Sequence, residues 1–298
     1  MKYSANDIEE IIYKYLPIEE GYAKPVISAM NYAFKAGGKR LRPMMMKLCY
    51  DMFSDTDNID DVSIVGPFMA AIEMIHTYSL IHDDLPALDN DELRRGLPTV
   101  HIKYGEDMAI LAGDGLLNYA YEIAANTFMD NPGNVDIEKA YMVLTRKPGI
   151  AGMIGGQVLD VIMTKKTVDD NQLEYIYVNK TSALIECSMM VGALLAGADK
   201  NTTESIEQIA RAVGMAFQVQ DDILDITSDS ETLGKPVNSD IKNEKYTYVT
   251  IHGIEKSREY VNKMSEKAND ILSSLKVKNE KAKLELMELI STLIDRDK

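Results

Sequence analysis

The chain has 298 residues, of which 46% are hydrophobic and 27% charged, as expected for a globular protein with a sizeable core. Its formal net charge of −15 disfavours nucleic acid and anionic membrane surfaces as general partners. The two cysteines lie far apart in sequence, which excludes a disulfide framework and favours reduced, buried thiols in the cytoplasm.

Apolar residues recur at helical spacing along almost the whole chain. Ile8 and Ile12 belong to an early stripe, and Ile206 and Val213 to a late one. Glycine and proline cluster at a few breaks, and alternating strand-like runs are scarce. We predict an all-α helical bundle that forms a single domain over residues 1–298. The longest nearly apolar stretch is too short to span a bilayer, so no stable membrane insertion is expected.

The segment GGKRLRP, residues 37–43, is unusual in so acidic a chain. It places Lys39, Arg40 and Arg42 directly behind two glycines. A guanidinium group binds phosphate oxygens bidentately and a lysine adds a point charge. The basic side chains therefore indicate an anion site, whereas a glycine pair alone is more typical of a plain turn.

The first of two aspartate clusters follows a mostly apolar helix. Pro86 disfavours helical geometry at the preceding residue, so this helix is predicted to end at Leu85. Asp83 and Asp84 then lie at its C-terminus, and the next turn must bring Asp89 back toward them. Carboxylates at a helix C-terminus are unfavourable without a cation. Taken alone, the cluster could also be a solvated helix end.

The second cluster lies in AFQVQDDILDITSD. Gln218, Asp221, Asp222 and Asp225 fall on one face of a predicted helix whose other faces are apolar, so the acidic stripe should face an interior cavity. Buried carboxylates that repel one another need cations, and Mg²⁺ accepts a few carboxylates together with substrate phosphates. Basic residues follow both clusters, namely Arg94, Arg95, Lys235 and Lys245. The pattern predicts a phosphate or diphosphate substrate on a magnesium bridge.

These motifs resemble those of the trans-isoprenyl diphosphate synthases, and most of all the bacterial farnesyl diphosphate synthases of the polyprenyl synthetase family. The resemblance covers nearly the whole chain, including GGKRLRP, EMIHTYSLIHDDLPALDNDELRRG, LAGDGLL, GMIGGQVLD, NKTSALI, FQVQDDILD and GKPVNSD. It implies a helical bundle with a central cavity, three Mg²⁺ ions and a homodimer. It also implies condensation of isopentenyl diphosphate with the allylic dimethylallyl and geranyl diphosphates, giving mainly farnesyl diphosphate.

The resemblance also assigns roles to individual residues. The metal ions would be held by Asp83, Asp84, Asp89 and Asp221. The allylic diphosphate would contact Arg94, Lys180, Gln218, Lys235 and Lys245. The diphosphate of isopentenyl diphosphate would contact Lys39, Arg42, His76 and Arg95. The Lys180 carbonyl and Thr181 would face the allylic cation. Gln157 and Asp160 either join this site or only brace neighbouring helices.

Product length is a separate expectation. Tyr78 lies five residues before Asp83, about 7.5 Å along a helix axis. In the family an aromatic residue there, here followed by Ser79, forms a floor that stops growth near farnesyl length. Ordinary core packing is the alternative for Tyr78, and geranylgeranyl diphosphate is the alternative product.

Two other functions share some of these features. A class I terpene cyclase also combines an aspartate motif with an all-α fold, but its second motif usually mixes Asn, Ser or Thr and Glu. A non-catalytic subunit of a heteromeric synthase typically lacks one or both aspartate motifs. The aspartate-rich second motif and the GGKRLRP segment favour a prenyltransferase over both.

Overall fold

The computed structural model describes residues 3–55, 62–227 and 246–294, and these form helices with one short hairpin. In chain order the elements are α1 (Ala5–Tyr13), α2 (Lys24–Lys35), α3 (Leu41–Phe53), α4 (Val65–Asp83), β1 (Leu93–Arg94), β2 (Leu97–Pro98), α5 (Val100–Tyr104), α6 (Glu106–Asp130), α7 (Val135–Arg146), α8 (Met153–Met163), α9 (Asp170–Ile176), a π-helical segment (Tyr177–Ser182), α10 (Ala183–Leu195), α11 (Lys200–Thr227), α12 (Tyr248–His252), α13 (Ile254–Ser274) and α14 (Glu280–Ile294). The predicted all-α fold is confirmed.

Helices α4 and α10 occupy the centre of the bundle. Every side chain of α10 is buried, and α4 is buried along most of its length. Helix α10 packs against α3, α7 and α11, while α4 packs against α3 and α6. A helix surrounded in this way is apolar on all sides, which explains why neither sequence shows a clear polar face.

Between α9 and α10 the helix is π-helical rather than α-helical. The segment Tyr177–Ser182 contains Lys180 and Thr181, both predicted site residues. Two neighbouring helices each place a glycine against this segment, Gly156 on α8 and Gly214 on α11. A Cβ at either glycine would clash with the segment. Single π-helical turns occur mostly where a function requires a local distortion. This segment therefore places two predicted site residues where two helices press closely together.

In the part of the chain that the structure describes, no helix combines the length and the apolar composition needed to cross a membrane.

Candidate active site

The first aspartate cluster lies where α4 ends. The helix ends at Asp83, with Asp84 as its cap, two residues before the predicted end at Leu85. The chain then turns back, and the backbone N–H of Asp89 donates to the carbonyl oxygen of Asp83 over 2.9 Å. Asn90 takes the left-handed conformation that closes this turn, with φ of 54°. The turn thus returns Asp89 to the helix end, as the sequence predicts.

The two adjacent aspartates have different partners. The carboxylate of Asp83 accepts a hydrogen bond from Nε2 of Gln157 on α8, at 2.8 Å. The carboxylate of Asp84 is buried, and Nε of Arg94 donates to its two oxygens at 2.8 and 2.9 Å. Burial raises the pKa of Asp84, although the hydrogen bonds from Arg94 oppose that shift. A predicted metal ligand and a predicted diphosphate ligand are therefore paired with each other in this structure.

The second cluster lies on α11, where Asp222 has a structural role. Its buried carboxylate accepts hydrogen bonds from the Tyr177 hydroxyl, from Nε2 of Gln218 at 3.1 Å and from the backbone N–H of Tyr248 at 3.3 Å. These contacts join α11 to the π-helical segment and to the first residue of α12. Asp221 is half-buried on the adjacent face of the helix. Of this pair, Asp221 is therefore the better candidate for a metal.

Hydrogen bonds between predicted site residues connect the two clusters. Nζ of Lys180 donates to Oδ2 of Asp160 on α8 at 2.5 Å. The hydroxyl of Thr181 donates to Oε1 of Gln218 on α11 at 2.7 Å. Gln157, one helical turn before Asp160, reaches the first cluster. Three separate hydrogen bonds therefore link α4 to α8, α8 to the π-helical segment, and that segment to α11.

The basic cluster consists of Arg42, His76 and Arg95, and Arg95 lies against the glycine pair. Nη1 of Arg95 donates to the carbonyl oxygen of Gly37. A Cβ on Gly38, whose φ is 154°, would lie 2.6 Å from the same guanidinium nitrogen. The glycine pair therefore permits the close approach of Arg95, in addition to its ordinary use in a turn.

The electrostatics of the basic cluster favour an anion. Nε of Arg42 is buried and has no hydrogen-bond partner among the residues that the structure describes. Burial lowers the pKa of Arg42, Glu73 opposes the shift and Arg95 adds to it. Burial and the arginines around it also lower the pKa of His76. A polyanion would satisfy the unpaired donor and relieve this concentration of positive charge.

A cavity of about 40 Å³ adjoins the basic cluster. Its walls come from α2, from one face of α4 and from the hairpin. Its polar lining consists of Tyr32, Glu73, His76, Thr77, Asp84, Arg94, Arg95 and Thr99. Residues assigned to both diphosphates therefore line one continuous space beside the end of α4.

Comparison with known proteins decides the family. Residues 24–290 match the family model described as Polyprenyl synthetase. The chain belongs to the polyprenyl synthetase family. A farnesyl diphosphate synthase from Geobacillus stearothermophilus is 42% identical over 254 residues, which are 85% of this chain and 83% of the relative. A heterodimeric geranylgeranyl pyrophosphate synthase large subunit from Arabidopsis thaliana is 42% identical over 248 residues, but the matched region spans only 66% of its length.

A solved structure agrees with the fold. A geranyltransferase from Helicobacter pylori, determined with magnesium and isoprenyl diphosphate, has a TM-score of 0.83 and 30% identity. The match covers 97% of this chain and 93% of that chain. This polyprenyl synthetase is thus a prenyltransferase of the farnesyl or geranylgeranyl diphosphate synthase type.

The predicted metal ligands have carboxylates of the kind that suits magnesium. Within residues 3–55, 62–227 and 246–294, no three Asp, Glu, His or Cys side chains cluster closely enough to hold a metal by themselves. Asp83 and Asp221 are half-buried, and Asp89 is exposed. Such carboxylates fit Mg²⁺, which is usually held by one or two of them and by substrate phosphates.

The remaining predicted residues occupy different surroundings. Tyr78 is 6% exposed, and its buried hydroxyl has no hydrogen-bond partner within the described part of the chain. Its ring meets that of His82 edge to face, with centroids 5.8 Å apart. The hydroxyl of Ser79 donates back to the carbonyl of His76 at 2.8 Å. Lys39 is exposed in the GGKRLRP segment, whereas Lys235 and Lys245 lie outside the described residues.

Several residues of this site were missed by sequence reasoning. Tyr177 and Tyr248 hold Asp222, and Glu73 lies in the cavity wall near the basic cluster. The buried position of Glu73 on an apolar helix was a readable signal, because an unpaired carboxylate there would be costly. The tyrosines gave no such signal.

The unprotonated state of His76 has a consequence for stability. The unfolded chain takes up a proton as pH falls through the ordinary histidine value of 6.5, whereas the folded chain does not, because its His76 pKa is lower. Stability should therefore be lost below that value. The His76→Gln variant cannot take up this proton. Its free energy of unfolding should therefore fall less steeply as pH decreases, by up to about 1.4 kcal/mol per pH unit. Urea unfolding of both proteins at several pH values below 6.5 would measure this difference. Equal loss of stability in the parent and the variant would contradict the prediction.

Proposed function

We propose that this polyprenyl synthetase condenses isopentenyl diphosphate with dimethylallyl and then geranyl diphosphate, giving mainly farnesyl diphosphate. The observation that carries the proposal is the buried, unpaired Nε of Arg42 beside His76 and Arg95. This basic cluster offers a second group of diphosphate-binding side chains, in addition to the aspartates and the basic residues that follow them. Condensation of two diphosphates requires two such sites, whereas a terpene cyclase needs one.

The allylic diphosphate would lie between the two aspartate clusters. Asp83, Asp84, Asp89 and Asp221 would hold magnesium there, with three ions implied by the family resemblance. When bound, magnesium would offset the negative charge that develops on the departing diphosphate. The Arg94 guanidinium and the Lys180 ammonium would contact the same oxygens, and Gln218 lies one turn before Asp221. Lys235 and Lys245 remain predicted ligands of this substrate.

The reaction would begin when the allylic C–O bond breaks and diphosphate leaves with the electron pair. The hydroxyl of Thr181 donates a hydrogen bond to Gln218, so its oxygen lone pairs, with the Lys180 carbonyl, can stabilise the allylic cation. The double bond of isopentenyl diphosphate then forms the new C–C bond. A proton leaves to the departed diphosphate and restores a double bond. Buried helices around the site would exclude water from the cation.

A second copy of the chain is the partner we propose. The exposed face of α8 carries the aliphatic side chains of Ile154, Val158, Val161 and Ile162, and Ile150 is exposed just before the helix begins. A contiguous exposed apolar stripe is characteristic of an interface, and most oligomers are symmetric dimers. Sedimentation should therefore report twice the chain mass of 33.3 kDa. A mass equal to one chain at micromolar concentration would contradict the homodimer.

The proposal also includes the domain organisation of the chain and its location in the cell. One hydrophobic cluster extends from Ile8 to Ile294, which supports a single domain over residues 1–298. Both cysteines are buried and unpaired, which supports a cytoplasmic setting where thiols stay reduced.

Product chromatography tests the function directly. Purified protein would receive radiolabelled isopentenyl diphosphate with dimethylallyl, geranyl or farnesyl diphosphate, in the presence of magnesium or of a chelator. We expect labelled farnesyl diphosphate from the first two starters, and none with the chelator. Mainly geranylgeranyl diphosphate would replace the proposed product. Conversion of geranyl diphosphate without any isopentenyl diphosphate would instead indicate a cyclase.

A further inference from the structure

Arg40 lies within the GGKRLRP segment, but its guanidinium group binds other groups of the protein. Nη1 donates to Glu73 at 2.8 Å, Nε donates to Glu9 at 2.9 Å and Nη2 donates to the carbonyl of Phe34 at 3.0 Å. Arg40 is only 3% exposed. It differs in this respect from Arg42, whose Nε has no hydrogen-bond partner in residues 3–55, 62–227 and 246–294.

The backbone at Arg40 is held in an unfavourable conformation. Its φ of 47° and ψ of 39° are left-handed, and it directly precedes the first residue of α3. A residue with a Cβ persists in this region only where its surroundings fix it. The side-chain contacts of Arg40 supply that constraint. They therefore set the chain reversal that separates Lys39 from Arg42.

The two carboxylates come from different helices. Glu73 lies on α4, three residues before His76, and is 3% exposed. Glu9 lies on α1, which is outside the matched residues 24–290. Burial alone would lower the pKa of Arg40, but Glu73 and Glu9 leave it raised. The charge of Arg40 is thus satisfied by the protein groups around it.

We propose that Glu9 and Glu73 clamp Arg40 and thereby position Lys39 and Arg42 for the diphosphate of isopentenyl diphosphate. Both glutamates would be positioning residues that act through Arg40, although Glu73 also lies in the cavity wall. Helix α1 then contributes to the affinity for one substrate from outside the matched region. This inference rests on the proposed function, since that function assigns the basic cluster to isopentenyl diphosphate.

Two neighbouring glutamates on α1 provide a matched test. Glu9→Gln keeps the shape of the side chain but removes its charge, and Glu10→Gln does the same at an exposed position one residue away. We expect Glu9→Gln to raise KM for isopentenyl diphosphate roughly fivefold, the loss of one modest ion pair. Its kcat and its KM for the allylic diphosphate should stay near those of the parent. Glu10→Gln should change none of these constants.

Equal constants in the two variants would overturn the clamp, and so would a rise in KM for both substrates alike. A double-mutant cycle provides a second measurement. In a protein that already carries Arg40→Gln, adding Glu9→Gln should raise KM for isopentenyl diphosphate little further. Additive effects would mean that Glu9 does not act through Arg40. Because Arg40 is buried, circular dichroism must first show that its variant folds, whereas the Glu9 test does not depend on it.

Binding of inorganic diphosphate separates this inference from the proposed function. Without added magnesium the basic cluster is the expected site, and calorimetry can compare the two α1 variants there. Weaker binding by Glu9→Gln than by Glu10→Gln would support the clamp even if no prenyl product formed. Equal binding would overturn the clamp even if the parent protein made farnesyl diphosphate.

Discussion

Asp83→Asn is expected to lower kcat by about three orders of magnitude, because it removes a charge that the metal requires. The amide has the shape of the carboxylate, and its oxygen can still accept the hydrogen bond from Gln157. The end of α4 should therefore keep its conformation. Asp221→Asn should lower kcat to a comparable extent, because it removes the predicted metal-binding charge of the second cluster. The structural hydrogen bonds from Gln218 and Tyr177 go to Asp222, so the fold of this region should be kept.

Steady-state kinetics at saturating magnesium would measure both variants. Glu92→Gln is the matched control, because Glu92 is an exposed carboxylate in the same acidic run. It should retain the parental kcat. If Asp83→Asn and Glu92→Gln turned over at similar rates, the aspartates at the end of α4 would not be the metal ligands. Unfolding curves for each protein would show whether a loss of activity is a loss of folding.

Tyr78→Ala is expected to move the main product from farnesyl diphosphate to chains longer by at least one isoprene unit. Tyr78 is buried on α4, five residues before Asp83, and its ring packs against His82. Removal of the ring leaves a cavity into which a growing prenyl tail can extend. The chemistry at the aspartates should be unaffected, so kcat for the first condensation should stay within about threefold of the parent.

Tyr78→Phe separates the ring from its hydroxyl. The hydroxyl is buried without a hydrogen-bond partner, and burial, with Asp83, raises its pKa to about 12. Loss of the hydroxyl should therefore leave the product unchanged, because the proposed limit on the length of the prenyl chain is the ring itself. Chromatography of the dephosphorylated alcohols would compare the three proteins. A product spectrum that is the same in all three would place the length limit elsewhere.

The fold could be predicted because its signal is local. Apolar residues at helical spacing fill most of the chain, and the breaks coincide with glycine and proline. The end of α4 was predicted two residues too late, since Pro86 marks where a helix must stop but Asp84 already acts as the cap. The π-helical segment was not predicted, because YVNKTS differs little from an ordinary helical sequence.

The site could be predicted only in part, for a physical reason. Motif spacing puts Gln218 and Asp221 on one helical face, but it cannot show that Asp222 turns toward Tyr177 and Tyr248, which are distant in sequence. The pairing of Arg40 with Glu9 likewise depends on how α1 packs. Contacts between distant elements follow from packing, which local patterns do not encode. The substrate roles of the individual residues remain predictions.

The π-helical segment makes this region sensitive to its residue count. A π-helical turn accommodates one residue more than an α-helical turn, so it acts as a built-in insertion between α9 and α10. Deletion of a single residue could restore a regular helix, but it would rotate everything before the deletion by about 100° about the axis relative to α10. Lys180 would then swing away from Asp160. A change in length here would therefore redirect a whole helical face.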